Sequence, residues 1–323
     1  MGITVRSNFP ELVKRQAYEY FFERYDGVEP VYPRVFEVLP STRAFEQGTA
    51  AVGMGQLQEK PEGTSIRYRD PVEGHTWYIK MKTFADGFIL TDEFLQDADD
   101  GRIEGFIREA AASWGEGVRM TEEAACARLF NKGALSAGDA PAFDGTVPGV
   151  VQDPSPKFIY DGKPFFATDH ASLAGSTYAN LTASLPLTVA NLETAWGAIT
   201  NTNARNERDE PVRIAPNVLL VPQELEFTAK TILRSVLLPG SPNNDINPVS
   251  ELLEPVVWRY LEDTDGWFVG ASKRGLRFYD RTPPTISVTQ DPETKNWRVD
   301  VVRRFGVGVT NWRYWYAANV AQS

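Results

Sequence analysis

Histidine and cysteine are nearly missing from this sequence, and both shortages narrow what it can do. Cys126 is the only cysteine, so no disulfide forms within the chain and no multi-cysteine metal site can be built from it. Stability must come from packing. His75 and His170 are the only histidines, so the side chain that most readily carries protons near neutral pH is scarce. No run approaches the roughly 18 consecutive apolar residues of a membrane-crossing helix. The first residues, with Arg6, Glu11, Lys14 and Arg15 among apolar ones, contain no signal-peptide core, so nothing is expected to direct the chain out of the cell that makes it. Met1-Gly2 is followed by Arg6 where a myristoylation signal needs Ser or Thr, and Ser7 comes one residue late, so no lipid anchor is expected. An excess of positive charge is lacking too. A formal charge of −10 argues against a chain whose main business is gripping phosphate backbones.

What is present is a globular composition: 323 residues, 42% of them hydrophobic, enough for one large domain or two ordinary ones. Phe9, Leu12, Val13, Ala17, Tyr20 and Phe21 repeat at helical spacing and predict an amino-terminal helix ending near Asp26-Gly27. Val35 to Leu39 and Thr76 to Lys82 are rich in strand formers and are expected to pair as the two sides of a long hairpin. Between them, Gly53 to Asp70 has few large apolar residues and reads as a projecting, solvated arm. Ile103, Phe106, Ile107, Ala110, Trp114, Val118, Ala125 and Leu129 share one helical face, predicting a long helix from Thr91 to about Lys132. Continuous, it would reach roughly 60 Å, with a bend or break expected near Gly115 and Gly117. Residues 133–166 read as a Gly/Pro/Asp-rich loop region with short strands. Helices are expected at Val189 to Ile199 and, after the strand Asn217–Val221 and Pro222, from Leu225 to Pro239-Gly240; strands follow at Pro255–Tyr260 and Trp267–Ala271. Thr285–Gln290, a turn at Asp291-Pro292, and Trp297 through Val309 form an antiparallel pair with one apolar face. The fold class is α+β.

The residues that could carry chemistry are few. His75 lies beside Trp77 and Tyr78 in a strand, where a structural role is expected. His170 follows Thr168 and Asp169, which could fix an imidazole tautomer, but no nucleophile stands near. Gly53-Met54-Gly55 and Gly306-Val307-Gly308 lack the third glycine of a dinucleotide loop, and Gly270 to Gly275 misses the nucleophile-elbow spacing by one residue. Asp97, Asp99, Asp100 and Glu104 lack calcium-loop spacing and read as an acidic face at a helix start. Trp312, Tyr314, Trp315 and Tyr316, with Arg303, Arg304 and Arg313, could form a stacking platform for single strands; at this net charge the preferred reading is aromatics in the core and arginines in ion pairs. No catalytic, cofactor-binding or metal residue is assigned.

Two segments carry a family resemblance. Phe158 to His170, containing Asp161-Gly162-Lys163-Pro164-Phe165-Phe166 and Thr168-Asp169-His170, resembles the "dGkpfF-tdH" segment of Mu-like major head subunits of tailed phages. Ala215 to Glu226, with Val218-Leu219-Leu220-Val221-Pro222, resembles their "P-nLlVP--Le" strand-to-helix segment. The resemblance implies the Hong Kong 97-type phage capsid fold: an amino-terminal arm (1–34), an extended loop reaching over a neighbour (35–90), spine helix and first part of the peripheral domain (91–184), axial domain (185–283) and the strands completing the peripheral domain (284–323). It implies a virion subunit assembled in the host bacterial cytoplasm, forming pentamers and hexamers of an icosahedral shell around double-stranded DNA touched without specificity. Portal protein and scaffolding or decoration proteins are the implied partners, with no membrane and no cofactor. Physics points the same way, because a coreless hairpin and a detached amphipathic helix recover their ordering entropy only against neighbouring copies. Some relatives carry a cleaved amino-terminal scaffolding segment, for which this short arm leaves no room, so a separate scaffolding protein is expected. Others crosslink a loop lysine to a neighbour's asparagine; Lys60 lies near the loop tip, but no partner motif is present and no crosslink is expected. An encapsulin-like compartment shell shares the fold and differs in holding enzyme cargo in place of a genome. The rival of another class is a hydrolase built on 185–283 with His170 as general base, which His170→Ala would decide.

Overall fold

The structure is a computed structural model that describes residues 9–52, 57, 59–66, 68, 72–91, 100–134, 159–238, 245–294 and 296–320. The chain opens with α1 (Phe9–Gly27), the single turn α2 (Tyr32–Val35) and β1 (Glu37–Pro40). It continues through β2 (Phe45–Val52), β3 (Val72–Lys80), β4 (Lys82–Leu90) and the long helix α3 (Asp100–Asn131). Short strands β5 (His170–Ala171), β6 (Thr177–Tyr178) and β7 (Leu181–Thr182) lead to α4 (Val189–Gly197), β8 (Val218–Val221) and α5 (Glu226–Arg234). The last third is strand: β9 (Glu254–Val257), β10 (Trp267–Gly270), β11 (Leu276–Gln290), β12 (Trp297–Val309) and β13 (Trp315–Ala318).

Two sheets of different burial organise these elements. A mixed five-stranded sheet, β7-β13-β10-β8-β9, is covered on both faces at its centre, which is why its three central strands, β13, β10 and β8, are buried throughout and unbroken by charge. Alternate residues serve opposite cores. Val218, Leu220, Phe268, Trp315 and Ala317 join a cluster around Phe130 of α3, whereas Leu219, Val221, Trp267, Val269, Tyr316 and Ala318 pack with Leu192 of α4 and Leu233 of α5. The rings of Phe36, Phe165, Phe166, Trp258, Phe268 and Trp315 surround that of Phe130 at 5.1 to 6.3 Å, so one side chain gathers five separate stretches of sequence. The second sheet, β1-β11-β12-β4, buries one face; β12 accordingly alternates, with Val299, Val301, Arg303 and Phe305 inward. Its turn falls at Asp291 as expected, Asp291 N–H donating to Asn296 O. Pro283 and Pro284 cannot donate to the ladder, and the β11–β12 register shifts on either side of Thr282.

Four expectations require correction. Val35 to Leu39 is not the ascending side of the hairpin: β1 pairs in parallel with β11 (Glu37↔Arg277), while Phe45–Val52 pairs with β3 (Phe45↔Lys80, Gly48↔Trp77). The apolar density of that stretch belongs to the core, where Val35 and Phe36 are fully buried. The amino-terminal helix is not detached. Ala17, Phe21 and Tyr25 of α1 pack with Ile107, Ala111 and Val118 of α3 and with Ile286, Val299 and Val301 of the four-stranded sheet. α3 is also unbroken through Gly115 and Gly117, its 32 residues spanning about 48 Å at ~1.5 Å per residue; its expected start at Thr91-Asp92-Glu93 reaches residues outside the described ones. Finally, α5 ends at Arg234, not at Pro239-Gly240, which also lie outside the described residues. Asn247 Nδ2 donates to Ile232 O at 2.6 Å and to Ser235 O at 2.8 Å, satisfying carbonyls that a longer helix would have used.

Gly115 is a contact and not a hinge. A Cβ there would lie 2.5 Å from Phe21 O and 3.0 Å from Tyr25 N of α1, whereas at Gly117 it would meet nothing within 4 Å. Gly117→Ala should therefore stabilise the subunit by up to ~1 kcal/mol through helix propensity. Gly115→Ala gains the same propensity but must push backbone away from backbone, and a net loss of about 1–3 kcal/mol is expected in urea denaturation.

Candidate functional site

The polar, half-exposed hairpin β2–β3 is the arm, and its root and tip differ in chemistry. At the root, Ile79 and Met81 are buried over two glycines of β12. A Cβ at Gly308 would lie 2.5 Å from Ile79 Cγ1, and one at Gly306 would lie 2.7 Å from Met81 Sδ. The alternation Gly306-Val307-Gly308 thus carves a trough on one face of the strand while Val307 fills the core on the other. Trp77 stacks at 6.4 Å on Tyr279, with the Arg277 guanidinium 5.0 Å from its ring. The described residues of the tip have no such support: Leu57 is 98% exposed, Tyr68 89% and Ile66 62%. Lys60 is exposed there as well.

The body beneath the arm is pinned by two adjacent buried acids of α3. Successive helical residues project about 100° apart, so Glu122 and Glu123 serve different partners. Glu122, wholly buried, accepts from Arg303 Nε at 2.7 Å, Arg119 Nη1 at 3.0 Å and the Tyr25 hydroxyl at 3.1 Å. Burial, reinforced by the Glu122 charge, pushes the Tyr25 phenol up to about 12. Glu123 accepts from Val31 N at 2.6 Å, from Tyr32 N at 3.2 Å and from Trp258 Nε1; burial raises its carboxyl and these three donors work against that rise. Arg303 also donates to Asp280 Oδ1 and to Thr282 O at 2.6 Å. Burial opposes its charge, and Asp280 and Glu122 together outweigh burial and hold its pKa above the usual arginine value. These carboxylates were not singled out in the sequence, though a signal was there: Glu122 falls on the apolar stripe between Val118 and Ala125, where a solvated acid does not belong.

Of the sequence candidates, His170 and Trp312 are brought together, and the rest are dispersed through this architecture. His170 is completely buried; Nδ1 lies 2.5 Å from Asp161 Oδ2 and Nε2 3.1 Å from Asn180 Oδ1, and the ring stacks at 4.1 Å on Trp312. Its orienting acid is Asp161 and not Asp169, which is exposed and pairs with Lys163. Asp161 also accepts from Lys163 N, and Gly162 takes a positive φ of 76° that closes the turn. The Asp-Gly-Lys…His spacing is therefore a buried knot closed on itself. Trp312 and Trp315 are fully buried, so they offer no stacking platform. Arg313 and Arg303 form ion pairs with Glu207 and Glu122, while Arg304 has none among the described residues. Gly270 lies under the Trp315 ring, and Lys273 and Gly275, both with positive φ, form a turn into β11 with no helix behind it. Burial pushes the Cys126 thiol well up. Asp100 opens α3 and Glu104 is its fifth residue; Asp97, Asp99 and Gly53-Met54-Gly55 lie outside the described residues. Among the described residues no group of three His, Cys, Asp or Glu side chains is placed to hold a metal ion, and no helix is long and apolar enough to cross a membrane.

Comparison with known proteins matches this arrangement to one family. A search of curated sequences finds no match. Among solved structures, the capsid of bacteriophage JBD30 superposes with a TM-score of 0.51 at 17% identity, covering 73% of this chain and 92% of that one. The capsid of cyanophage P-SCSP1u gives 0.52 at 10% identity over 91% and 89%, and the capsid of an empty GTA particle gives 0.52 at 10% identity over 90% and 91%. At such identities these likenesses establish the fold, which is the Hong Kong 97-type phage capsid fold. The family model described as "Phage capsid protein" matches residues 77–318, a span holding the long helix, the whole five-stranded sheet, three of the four strands of the other sheet and the buried acids; the chain belongs to the phage capsid protein family and is a major capsid protein.

Proposed function

We propose that this subunit assembles as pentamers and hexamers into a closed icosahedral shell around double-stranded DNA, with the loop tip seated on a neighbouring copy. The observation that carries the reading is the arm: a rooted hairpin whose tip presents Leu57, Ile66 and Tyr68 to solvent. A monomer gains nothing from holding such side chains in water, and a neighbour that covers them recovers the cost of ordering the tip. On the same reading, 1–34 is the amino-terminal arm, 35–90 the extended loop, 91–184 and 284–323 the peripheral domain and 185–283 the axial domain. The kinship with Mu-like head subunits rests on the Phe158–His170 and Ala215–Glu226 segments. A formal charge of −10 suits a wall against which packed DNA is held without specific grip. Portal protein and scaffolding or decoration proteins are the partners this implies, with assembly in the host bacterial cytoplasm and no catalytic role.

Negative-stain electron microscopy of the purified chain at moderate concentration tests the reading. Closed shells with five- and six-fold clusters are expected, and nuclease-protected double-stranded DNA is expected in particles taken from the producing host. Dispersed monomers under every assembly condition would overturn it.

A further inference from the structure

The two helices on the five-stranded sheet are held on opposite sides of its central strand, β10. α5 packs on β8 and β9, whereas the chain around α4 is fastened at the other side: residues 198–202 lie on β13, and Leu185, just before α4, accepts from Trp267 Nε1 and donates its N–H to Asn319 Oδ1. Leu192 and Ala195 of α4 share one core with Ile232 and Leu233 of α5, so each helix keeps an outer face that the other does not cover. The outer face of α5 is apolar where a permanently wet surface would be polar. Phe227 is 78% exposed, and beyond the helix end Val236 (73%) and Ile246 (80%) are drawn together by the bond from Asn247 N to Val236 O and the bridge Leu237↔Ile246. Phe227, Lys230 and Arg234 fall on one stripe of the helix. Lys230 pairs along it with Glu226, but the exposed Arg234 has no ion pair among the described residues. The outer face of α4 carries the opposite sign. Ala190 and Glu193 are exposed one turn apart, with exposed Pro186 before them, and Glu193 likewise has no ion pair among the described residues.

Copies of one chain arranged head to tail bring two different surfaces of that chain together, and the contact repeats around a ring. We propose that these are the two surfaces: α5 of one copy lays Phe227 on α4 of the next, over Pro186 and Ala190, with Arg234 facing Glu193. This rests on the pentamer and hexamer reading and names the contact that closes those rings. Aromatic and arginine side chains are the ones that interfaces favour. A large apolar patch beside an unpaired cation is complemented, in the same chain, by a small apolar ground beside an unpaired acid. An exposed ion pair contributes little, whereas like charges forced together oppose association strongly, so charge reversal is the informative change.

Analytical ultracentrifugation and native mass spectrometry of the full-length chain test the contact, with circular dichroism and urea midpoints as the control for folding. Wild type should give five- and six-membered rings, free or closed into shells. Phe227→Asp, Arg234→Glu and Glu193→Arg should each lower the ring fraction roughly tenfold or more at equal concentration, and folding should not change because all three side chains are exposed. Arg234→Glu and Glu193→Arg together in one chain should recover both kinds of ring. An equimolar mixture of the two single reversals should recover six-membered rings, in which they alternate, and not five-membered ones, in which two copies of one kind must meet. Rings at wild-type yield in Phe227→Asp or in either reversal, or reversals that the double variant does not rescue, would overturn this contact and leave the ring reading standing. A wild type that forms no rings would end both.

Discussion

Arg303→Ala is expected to destabilise the subunit by about 3–5 kcal/mol, the range for removing one partner of a buried ion pair, against a total of about 5–15 kcal/mol for an ordinary domain. The Arg303 side chain is 3% exposed and ties its own strand to two other elements by three contacts: the long helix through Glu122, and β11 through both Asp280 and the carbonyl of Thr282, where the paired prolines shift the ladder. Truncation leaves Glu122 fully buried with only the Arg119 charge and the Tyr25 hydroxyl's hydrogen bond to offset it, and leaves Thr282 O without its side-chain donor. Arg303→Lys should recover little, because one ammonium on a flexible stem cannot reproduce the planar fork that reaches Glu122 and Asp280 together. Adding Glu122→Gln to Arg303→Ala should return part of the loss, since the stranded charge is then gone. Equilibrium urea denaturation of the unassembled chain measures all three. A loss under about 1 kcal/mol for Arg303→Ala would mean that water replaces the guanidinium and that the acids are not the pins described above.

What could be read in the sequence was whatever a local pattern encodes. α1 shows its helical period in Ala17, Tyr20 and Phe21, and β12 shows its two-residue period in Val299 and Val301, so both were legible without knowing what they touch. β8 was legible for the opposite reason, as an unbroken run closed by Pro222. The errors arose where a distant partner decides. Val35-Phe36 looked like arm because its apolar density is high, yet that density answers Phe130 and Trp258, far along the chain. Gly115 looked like a break because glycine weakens an isolated helix, yet it is the place where α1 comes close. α5 looked longer because nothing near Val236 forecasts that Asn247 will cap the helix. At the site, Asp169 was a plausible partner for His170 by adjacency, but the loop folds back and delivers Asp161. The described residues between Gly53 and Asp70 are exposed, in line with the low apolar bulk of that stretch, a property that needs no partner to be seen.

Deleting the tip from Gly55 to Gly63 should leave the subunit folded and abolish closed shells. The described residues within the cut, Leu57 and 59–63, fall outside every buried cluster, and the ladder it spares runs from Phe45↔Lys80 to Val52↔Val72. Residues 53–54 and 64–71 still bridge that ladder with length to spare, and a shorter loop costs slightly less to close. Subunit stability should therefore change by no more than about 0.5 kcal/mol, the usual range for surface changes. Assembly is another matter, because the deletion removes Leu57, whose side chain is wholly in water in the isolated chain. Covering such a side chain against a neighbour contributes about 1.5–3 kcal/mol, and in a closed shell every copy makes the contact at once, so a modest loss per subunit is multiplied through the lattice. The yield of closed particles by electron microscopy should fall at least tenfold while circular dichroism and urea midpoints stay near wild type. Intact shells from the deleted chain would show that the tip is ornament to the assembly, and the burden of closing it would then pass to the exposed faces of the body.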